Sequence, residues 1–323
     1  MTIKQIQRSA WLALTICIGF LAPVLTAHAA APLAKTSAPG YYRMMLGTFE
    51  VTALLDGTID LKVADLLTNT TPPKVKSALA RSFLKDPVET SVNVYLINTG
   101  EKLVMIDAGS GTFFGPTVGK LVASLKASGY QPEQIDAIYI THMHVDHVGG
   151  LVSDGKIAFP NAIVRADQHD ADFWLNKATM ESAPKDARPF FEGAMAAMNP
   201  YAAAGKFKPF NGKTELAPGI SAVPAYGHTP GHSVFVVESQ GERLVMWGDL
   251  MHVAAVQFPD PSVTIRFDID SKAAAVQRGA QFADAAKRRH WVAATHLPFP
   301  GIGHLRADGK GYDWVPANYT SLR

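Results

Sequence analysis

A single cysteine, Cys17, stands in the 323 residues of this chain, and it lies within the first apolar segment. Beyond that segment there is no disulfide, no thiolate metal ligand and no cysteine nucleophile, so stability rests on packing. Net charge is scarce as well. Of 30 Lys and Arg, Lys4 and Arg8 belong to the first 29 residues, which carry no acid, leaving 28 against 28 Asp and Glu. A balanced chain lacks the footprint of a protein that tracks phosphate backbones, which argues against nucleic acid as a partner. No GxSxG elbow is present, so nothing marks a serine nucleophile. The first segment has no twin-arginine pair either. What it does have is Lys4 and Arg8, an apolar run from Ala10 to Leu25, and Ala27-His28-Ala29, small residues of the kind a signal peptidase reads. That predicts a signal peptide over 1–29 and a periplasmic or secreted protein. Stable membrane association after cleavage is not expected, because the run is short for a span and Pro23 interrupts its end.

With 47% hydrophobic residues the rest of the chain can bury a substantial core. Residues 30–40 are small and Pro-bearing and read as a flexible arm; 41–323 reads as one domain. Thr48 to Leu55 alternates, Asp56-Gly57 is a turn signal and Thr58 to Leu61 returns, which predicts a hairpin at a sheet edge. Helices are predicted over Pro73 to Phe83, Thr117 to Ser128, Asp167 to Asn176, parts of Lys177 to Gly205, and Ser271 to Arg289 with a serine N-cap. The last strand, Trp291 to Thr295, runs into FPGIGHLRADGKGY, which reads as an extended Gly-rich tail. One string occurs twice: GEKLVM at Gly100 to Met105 and GERLVM at Gly241 to Met246, followed by Asp107 and Asp249. Two similar strand pairs, each delivering a carboxylate, predict a duplicated half-fold of the α/β class, with two stacked sheets and helices outside.

The densest chemistry is THMHVDHVGG, Thr141 to Gly150. Three histidines and an aspartate follow a β-branched run, Ile135 to Ile140, so they sit at the C-terminal end of a strand, where open α/β layers carry their sites. Imidazole and carboxylate suit Zn²⁺ and similar ions, and four such donors in so short a span cannot all face one ion. His142 and His144 are assigned to one ion, Asp146 and His147 to a second. His228 in the tight loop Gly227 to His232, Asp249, and His296 after the last strand are further candidate ligands. His252, three residues past Asp249, is expected to face the cleft, whereas His169 and His290 read as helical and exposed. His304 lies in the Gly-rich tail and is left unassigned.

HxHxDH followed by a glycine-loop histidine, an aspartate and a final histidine resembles the metallo-β-lactamase superfamily of hydrolases. The resemblance implies a four-layer αβ/βα sandwich of two mixed sheets. It puts His142, His144 and His228 on one metal ion, Asp146, His147 and His296 on the other, and Asp249 between them. It makes His232 and Asp107 supports behind the ligands, and Asp146 and Asp249 the catalytic carboxylates. Two divalent ions, Zn²⁺ first and Mn, Fe or Co as alternatives, would lower the pKa of a shared water and hold a bridging hydroxide for attack. Longer strings, SAPGYYRM, YQPEQIDAIYITHMHVDHVGG, FPNAIVRADQ, AVQFPDPSVT and FPGIGHLRADGKGY, are similar to the methyl parathion hydrolases and their lactone-hydrolysing relatives. Among those, the organophosphate-specialised members are expected to carry arginine near Leu66, leucine at His252, threonine at Ile265 and leucine at Phe267. Leu66, Leu67, Phe114, Trp174, Phe190, His252, Ile265 and Phe267 are thus the expected pocket, and they suit a flat lactone or aryl ester better than a phosphotriester. A dihydrocoumarin-type lactonase with promiscuous phosphotriester hydrolysis is the reading; an organophosphate triesterase is the alternative. Redox chemistry on an iron centre and a non-catalytic binding role fit less well. The resembling hydrolases form dimers, so a homodimer is expected.

Overall fold

Strands that are apolar on both faces build two sheets, each sandwiched between the other and a layer of helices. In Val88–Asn98, Val94 and Leu96 pack with the outer helices while Tyr95 and Ile97 face the second sheet. In Glu242–Met246, Leu244 and Met246 face inward and Val245 packs outward against Phe282 of helix Ser271–Arg288. The period of two explains why these strands read as continuous apolar runs: both faces are buried. The computed structural model describes residues 31–321, so the expected signal peptide lies outside the described residues. Residues 31–37 carry no regular secondary structure, are exposed and belong to a unit separate from the one that begins at Ala38. No helix among the described residues is long and apolar enough to cross a membrane.

The first sheet runs, in spatial order, Tyr41–Leu46, Phe49–Leu61, Val88–Asn98, Leu103–Ile106, Ala137–Tyr139, Ile163–Arg165. The second runs Thr214–Ala217, Ile220–Pro224, Ser233–Ser239, Glu242–Met246, Trp291–Ala293, Ile302–Asp308, Gly311–Pro316. Each contains an antiparallel hairpin whose second strand is joined in parallel by the next: Leu103–Ile106 by Ala137–Tyr139, and Glu242–Met246 by Trp291–Ala293. These are the two places where the repeated GE(K/R)LVM string falls. The arrangement is the mixed-sheet αβ/βα sandwich of the metallo-β-lactamase fold, with Leu121–Ala127, Gln168–Trp174 and Arg188–Ala203 outside the first sheet.

Four local expectations need correction. Asp56-Gly57 is no hairpin turn, because Phe49–Leu61 is one strand with a bulge between Leu55 and Gly57. The predicted Gly-rich tail pairs with itself as the hairpin Ile302–Asp308/Gly311–Pro316 at the sheet edge. The long helix is capped by Asp270, whose carboxylate accepts from the Ala273 N–H at 3.0 Å, so Ser271 is its first residue. His290 is buried rather than exposed.

Candidate metal centre

Each expected ligand stands where a strand gives out. Ala137–Tyr139 ends in the loop bearing His142 and His144, and one helical turn, Val145–Val148, carries Asp146 and His147. His228 lies between Ile220–Pro224 and Ser233–Ser239, Asp249 beyond Glu242–Met246, and His296 beyond Trp291–Ala293. The fold brings all seven together in two groups whose ligand atoms lie within 4.8 Å of one another: His142, His144, His228 and Asp249, and Asp146, His147, Asp249 and His296. Asp249 belongs to both. Its Oδ2 is 3.3 Å from His228 Nε2 and 3.6 Å from His142 Nε2, while Oδ1 is 3.1 Å from His147 Nε2 and 3.2 Å from His296 Nε2.

The supports behind these ligands fix which nitrogen of each ring points inward. His147 donates from Nδ1 to Asp107 at 2.8 Å, His228 from Nδ1 to Asp268 at 2.8 Å, and His296 from Nδ1 to the Ser91 carbonyl at 3.0 Å. With those protons placed, the neutral forms of these three rings present the Nε2 lone pair to the centre. His144 Nδ1 then lies 3.0 Å from His142 Nε2 and 3.1 Å from His228 Nε2. His147 Nε2 and Asp249 Oδ1 are buried without a hydrogen-bond partner although they lie 3.1 Å apart. Lone pairs crowded on lone pairs beside a buried carboxylate are costly unless a cation stands between them, so the residues fit two divalent ions. The donor sets, three imidazoles with a carboxylate and two imidazoles with two carboxylates, are borderline-hard and suit Zn²⁺ without excluding Mn, Fe or Co.

The protonation of the metal-free centre shows the same competition. Burial and the neighbouring histidines hold His142 and His144 well below the ordinary imidazole range. Burial also pulls on His228 and His296, but Asp249 with Asp268 outweighs it at His228, raising it to about 9, and Asp249 with Asp146 raises His296 to about 10. His147 is driven well above its usual value, against burial, by Asp249, Asp107 and Asp146. Protons occupy in the metal-free chain the lone pairs that ions would take.

Asp107 adopts φ +63, a left-handed conformation, and its carboxylate accepts from Thr141 N–H at 2.7 Å as well as from His147. His232 works from the other half: its Nδ1 donates to the Ala225 carbonyl at 3.2 Å and its Nε2 accepts the Asp249 N–H at 3.1 Å. Gly248 is at φ +54, and a Cβ there would come within 2.8 Å of Thr141 Cβ and 2.9 Å of His232 Nε2. Sequence reasoning missed three supports. Asp268 is one. Asp170 is another, accepting from Met143 N–H at 2.8 Å and Gly231 N–H at 2.6 Å and so joining the two ligand loops; burial raises its pKa to about 6. The third is Arg278, fully buried in the long helix, which donates to the carbonyls of Leu250, Pro261 and Val263 beside Asp268. An arginine at an apolar helix position was the one available signal.

A cavity of about 140 Å³ opens onto the centre, bordered by Ile59, Leu61, Phe114, Phe190, Phe267, Thr90, His252 and the ligands His144, Asp146, Asp249 and His296. His252 Nε2 lies 3.0 Å from Asp249 Oδ2. Four expected pocket residues are not on this border. Trp174 packs behind His144, ring centroids 5.1 Å apart, within the first sheet's outer core. Leu67 and Ile265 pair with each other in a two-strand ladder, and Leu66 packs against the same satellite core; Phe267 packs there too but also reaches the cavity. His304 lies away from the centre, its ring 3.9 Å from that of Trp291. His169 is part-exposed beside Asp167.

Known proteins share this frame. In solved structures, the hydrolase AbOPH of the beta-lactamase superfamily superposes with a TM-score of 0.84 at 39% identity, covering 88% of this chain and all of that one. AidC, a dizinc quorum-quenching lactonase in complex with a product, N-hexanoyl-L-homoserine, superposes at 0.81 with 28% identity over 87% of this chain and 99% of its own. An N-acyl homoserine lactonase of Bacillus cereus is 26% identical over 171 residues, 47% of this chain; the match spans 60% of that relative's length. Residues 87–296, from the strand of Ser91 to the last ligand, match the family described as the Metallo-beta-lactamase superfamily. This chain belongs to that superfamily and has its fold.

Proposed function

We propose that this protein opens neutral cyclic esters, lactones with an aromatic or acyl flank, and cleaves aryl esters, with phosphotriester hydrolysis as a promiscuous activity. The observation that carries this is the cavity border: apolar and aromatic side chains surround the ligands, and among the described residues no Lys or Arg lines it. An anionic substrate such as a β-lactam carboxylate or a phosphodiester would find no side-chain cation there to pair with a charge held away from the metal ions. A volume near 140 Å³ is the scale that accepts a single aromatic ring. The lactonases among the similar proteins support the cyclic ester.

Two divalent ions held by the cages would supply Lewis acidity and an activated water. This chain's residues supply the rest. Phe114, Phe190 and Phe267 exclude water and hold the flat part of the substrate. Asp146, part-exposed at the cavity, is placed to take a proton from the attacking water and pass it on. His252 borders the cavity beside Asp249; burial keeps its ring neutral, and it is placed to relay the proton taken up by Asp146 to the leaving oxygen. The apolar segment behind Lys4 and Arg8 and the absence of cysteine after it support export to the periplasm or beyond, and homodimerisation belongs to the same reading.

The test is a side-by-side comparison on an aromatic lactone, an N-acyl homoserine lactone and a dimethyl aryl phosphotriester, before and after chelation. We expect catalytic efficiency to favour a lactone by about a few hundredfold, roughly 3 kcal/mol of differential transition-state binding. A preference for the triester would establish the alternative, an organophosphate triesterase. Activity that survives verified metal removal would overturn the mechanism.

A further inference from the structure

Asp56 is fully buried, and its carboxylate is answered by main-chain amides. Oδ2 accepts from Ser110 N–H at 2.9 Å and Gly119 N–H at 3.1 Å, and Oδ1 accepts from Leu121 N–H at 3.0 Å. The Asp56 carbonyl takes a fourth, from Lys120 N–H at 2.9 Å. These donors come from the two ends of one loop. Between them the chain bulges outward and carries Phe114, which borders the cavity while remaining 42% exposed. Gly57 completes the platform: a Cβ there would fall 2.1 Å from the Thr117 carbonyl oxygen, so only glycine lets the loop lie on the bulge. At the Ser110 end, Gly150 N–H donates to the Gly109 carbonyl at 3.0 Å, which ties the neck of the loop to the turn that follows His147.

We propose that Asp56 is a positioning residue for substrate recognition. By gathering both ends of the loop on one carboxylate it sets where Phe114 stands at the cavity mouth, and so governs KM for substrates with an aromatic or acyl flank. This rests on the pocket described under the proposed function. Burying a carboxylate is costly, and burial leaves the Asp56 pKa raised, but three N–H donors at once offset part of that cost and match the open ends of a loop better than any neutral side chain does. Asparagine keeps the shape but must turn its NH₂ towards at least one of those N–H groups, leaving donor against donor.

The experiment is a cycle of Asp56→Asn, Phe114→Ala and the double variant, with kinetics on whichever substrate the wild type turns over best, and metal content measured throughout. Asp56→Asn should raise KM about tenfold with kcat and metal content unchanged. Phe114→Ala should raise KM comparably, and Asp56→Asn should add nothing on that background, since its effect passes through the ring. An unchanged KM in Asp56→Asn beside a raised KM in Phe114→Ala would refute the role of Asp56 alone. An unchanged KM in Phe114→Ala would sink the pocket reading and this proposal with it. Additive effects, or metal loss in Asp56→Asn, would mean that Asp56 acts on the metal loop and not on Phe114. Should Asp56→Asn fail to fold, amide exchange in the wild type decides: protection at Ser110, Gly119 and Leu121 supports the clamp, and exchange there as fast as in open chain overturns it.

Discussion

Replacing Asp268 by asparagine is the sharpest probe of how the centre holds its ions. The carboxylate is fully buried and divides its oxygens: Oδ1 accepts His228 Nδ1–H at 2.8 Å, while Oδ2 accepts Ile265 N–H at 3.2 Å and faces Arg278 at 3.8 Å. Burial alone would raise its pKa, yet the hydrogen bond and charge of His228, with a contribution from Arg278, hold it below the usual carboxylate range. In Asp268→Asn one oxygen remains. If it faces His228, the NH₂ opposes Ile265 N–H; if it faces Ile265, the NH₂ opposes His228 Nδ1–H and the imidazole must shift or change tautomer. Either way the negative charge that makes Nε2 a stronger ligand is gone. Losing such a support weakens metal affinity about 10- to 100-fold, which is about 1.4–2.7 kcal/mol. The loss should be confined to the cage of His142, His144 and His228, because the cage of His147 and His296 leans on Asp107 and the Ser91 carbonyl instead. A two-step competition titration with a chromophoric chelator reads both affinities. Equal weakening of both steps, or no change in either for a folded variant, would refute the reasoning.

Metal uptake should depend on pH in a defined direction. Because His228 and His296 bind protons up to about 9 and 10 in the metal-free chain, each ion must displace them, and apparent affinity should rise between pH 6 and 9, read by the same titration. The metal-free chain should behave oppositely: stability from these raised pKa values is complete below about 6.5 and lost as pH rises through 9 to 10, so its Tm should fall over that window. His252→Leu should lower lactone turnover about tenfold or more while sparing the phosphotriester rate, a shift in the ratio of kcat/KM that an unchanged ratio would contradict. Gly248→Ala should lose metal content as well as about 1 kcal/mol or more of stability, since both the left-handed backbone and the contact with His232 oppose a Cβ; full metal occupancy would count against this.

The ligands were legible because a metal centre needs particular atoms at particular strand ends, and HxHxDH, His228, Asp249 and His296 announce those atoms by residue type. The layering was legible because continuous apolar strands need cover on both faces. Bends were not. Asp56-Gly57 has the composition of a turn, and nothing local distinguishes a turn from a bulge that pairs with Val92 and Asn93 and whose carboxylate is met 54 residues away by Ser110 N–H. Supports such as Asp170 and Asp268 were missed for a related reason: an isolated aspartate looks the same whether it meets water or a histidine from a distant loop. The pocket divided along the same line. Phe114, Phe190, His252 and Phe267 reach the cavity, while Leu66, Leu67, Trp174 and Ile265 are apolar residues of equal plausibility that the satellite and outer cores absorb.

The duplicated string shows how one half-fold yields two different carboxylates. Aligned on their methionines, Met105-Ile106-Asp107 corresponds to Met246-Trp247-Gly248, so the residue equivalent to Asp107 is Gly248 and not Asp249. The backbone agrees, since Asp107 and Gly248 both take the left-handed conformation, at φ +63 and +54. In the first half the side chain at that corner turns back to Thr141 and His147 and orients a ligand. In the second, the same corner lies against Thr141 and His232, where glycine alone fits, and the carboxylate is moved one residue onward to stand between the two cages. A one-residue offset at matching strand ends therefore separates the aspartate that supports from the aspartate that bridges. Thr141, touching both corners, keeps the two halves in register: its Oγ1 lies 2.9 Å from Asp107 Oδ2, and its carbonyl accepts the Ser233 N–H at 2.9 Å.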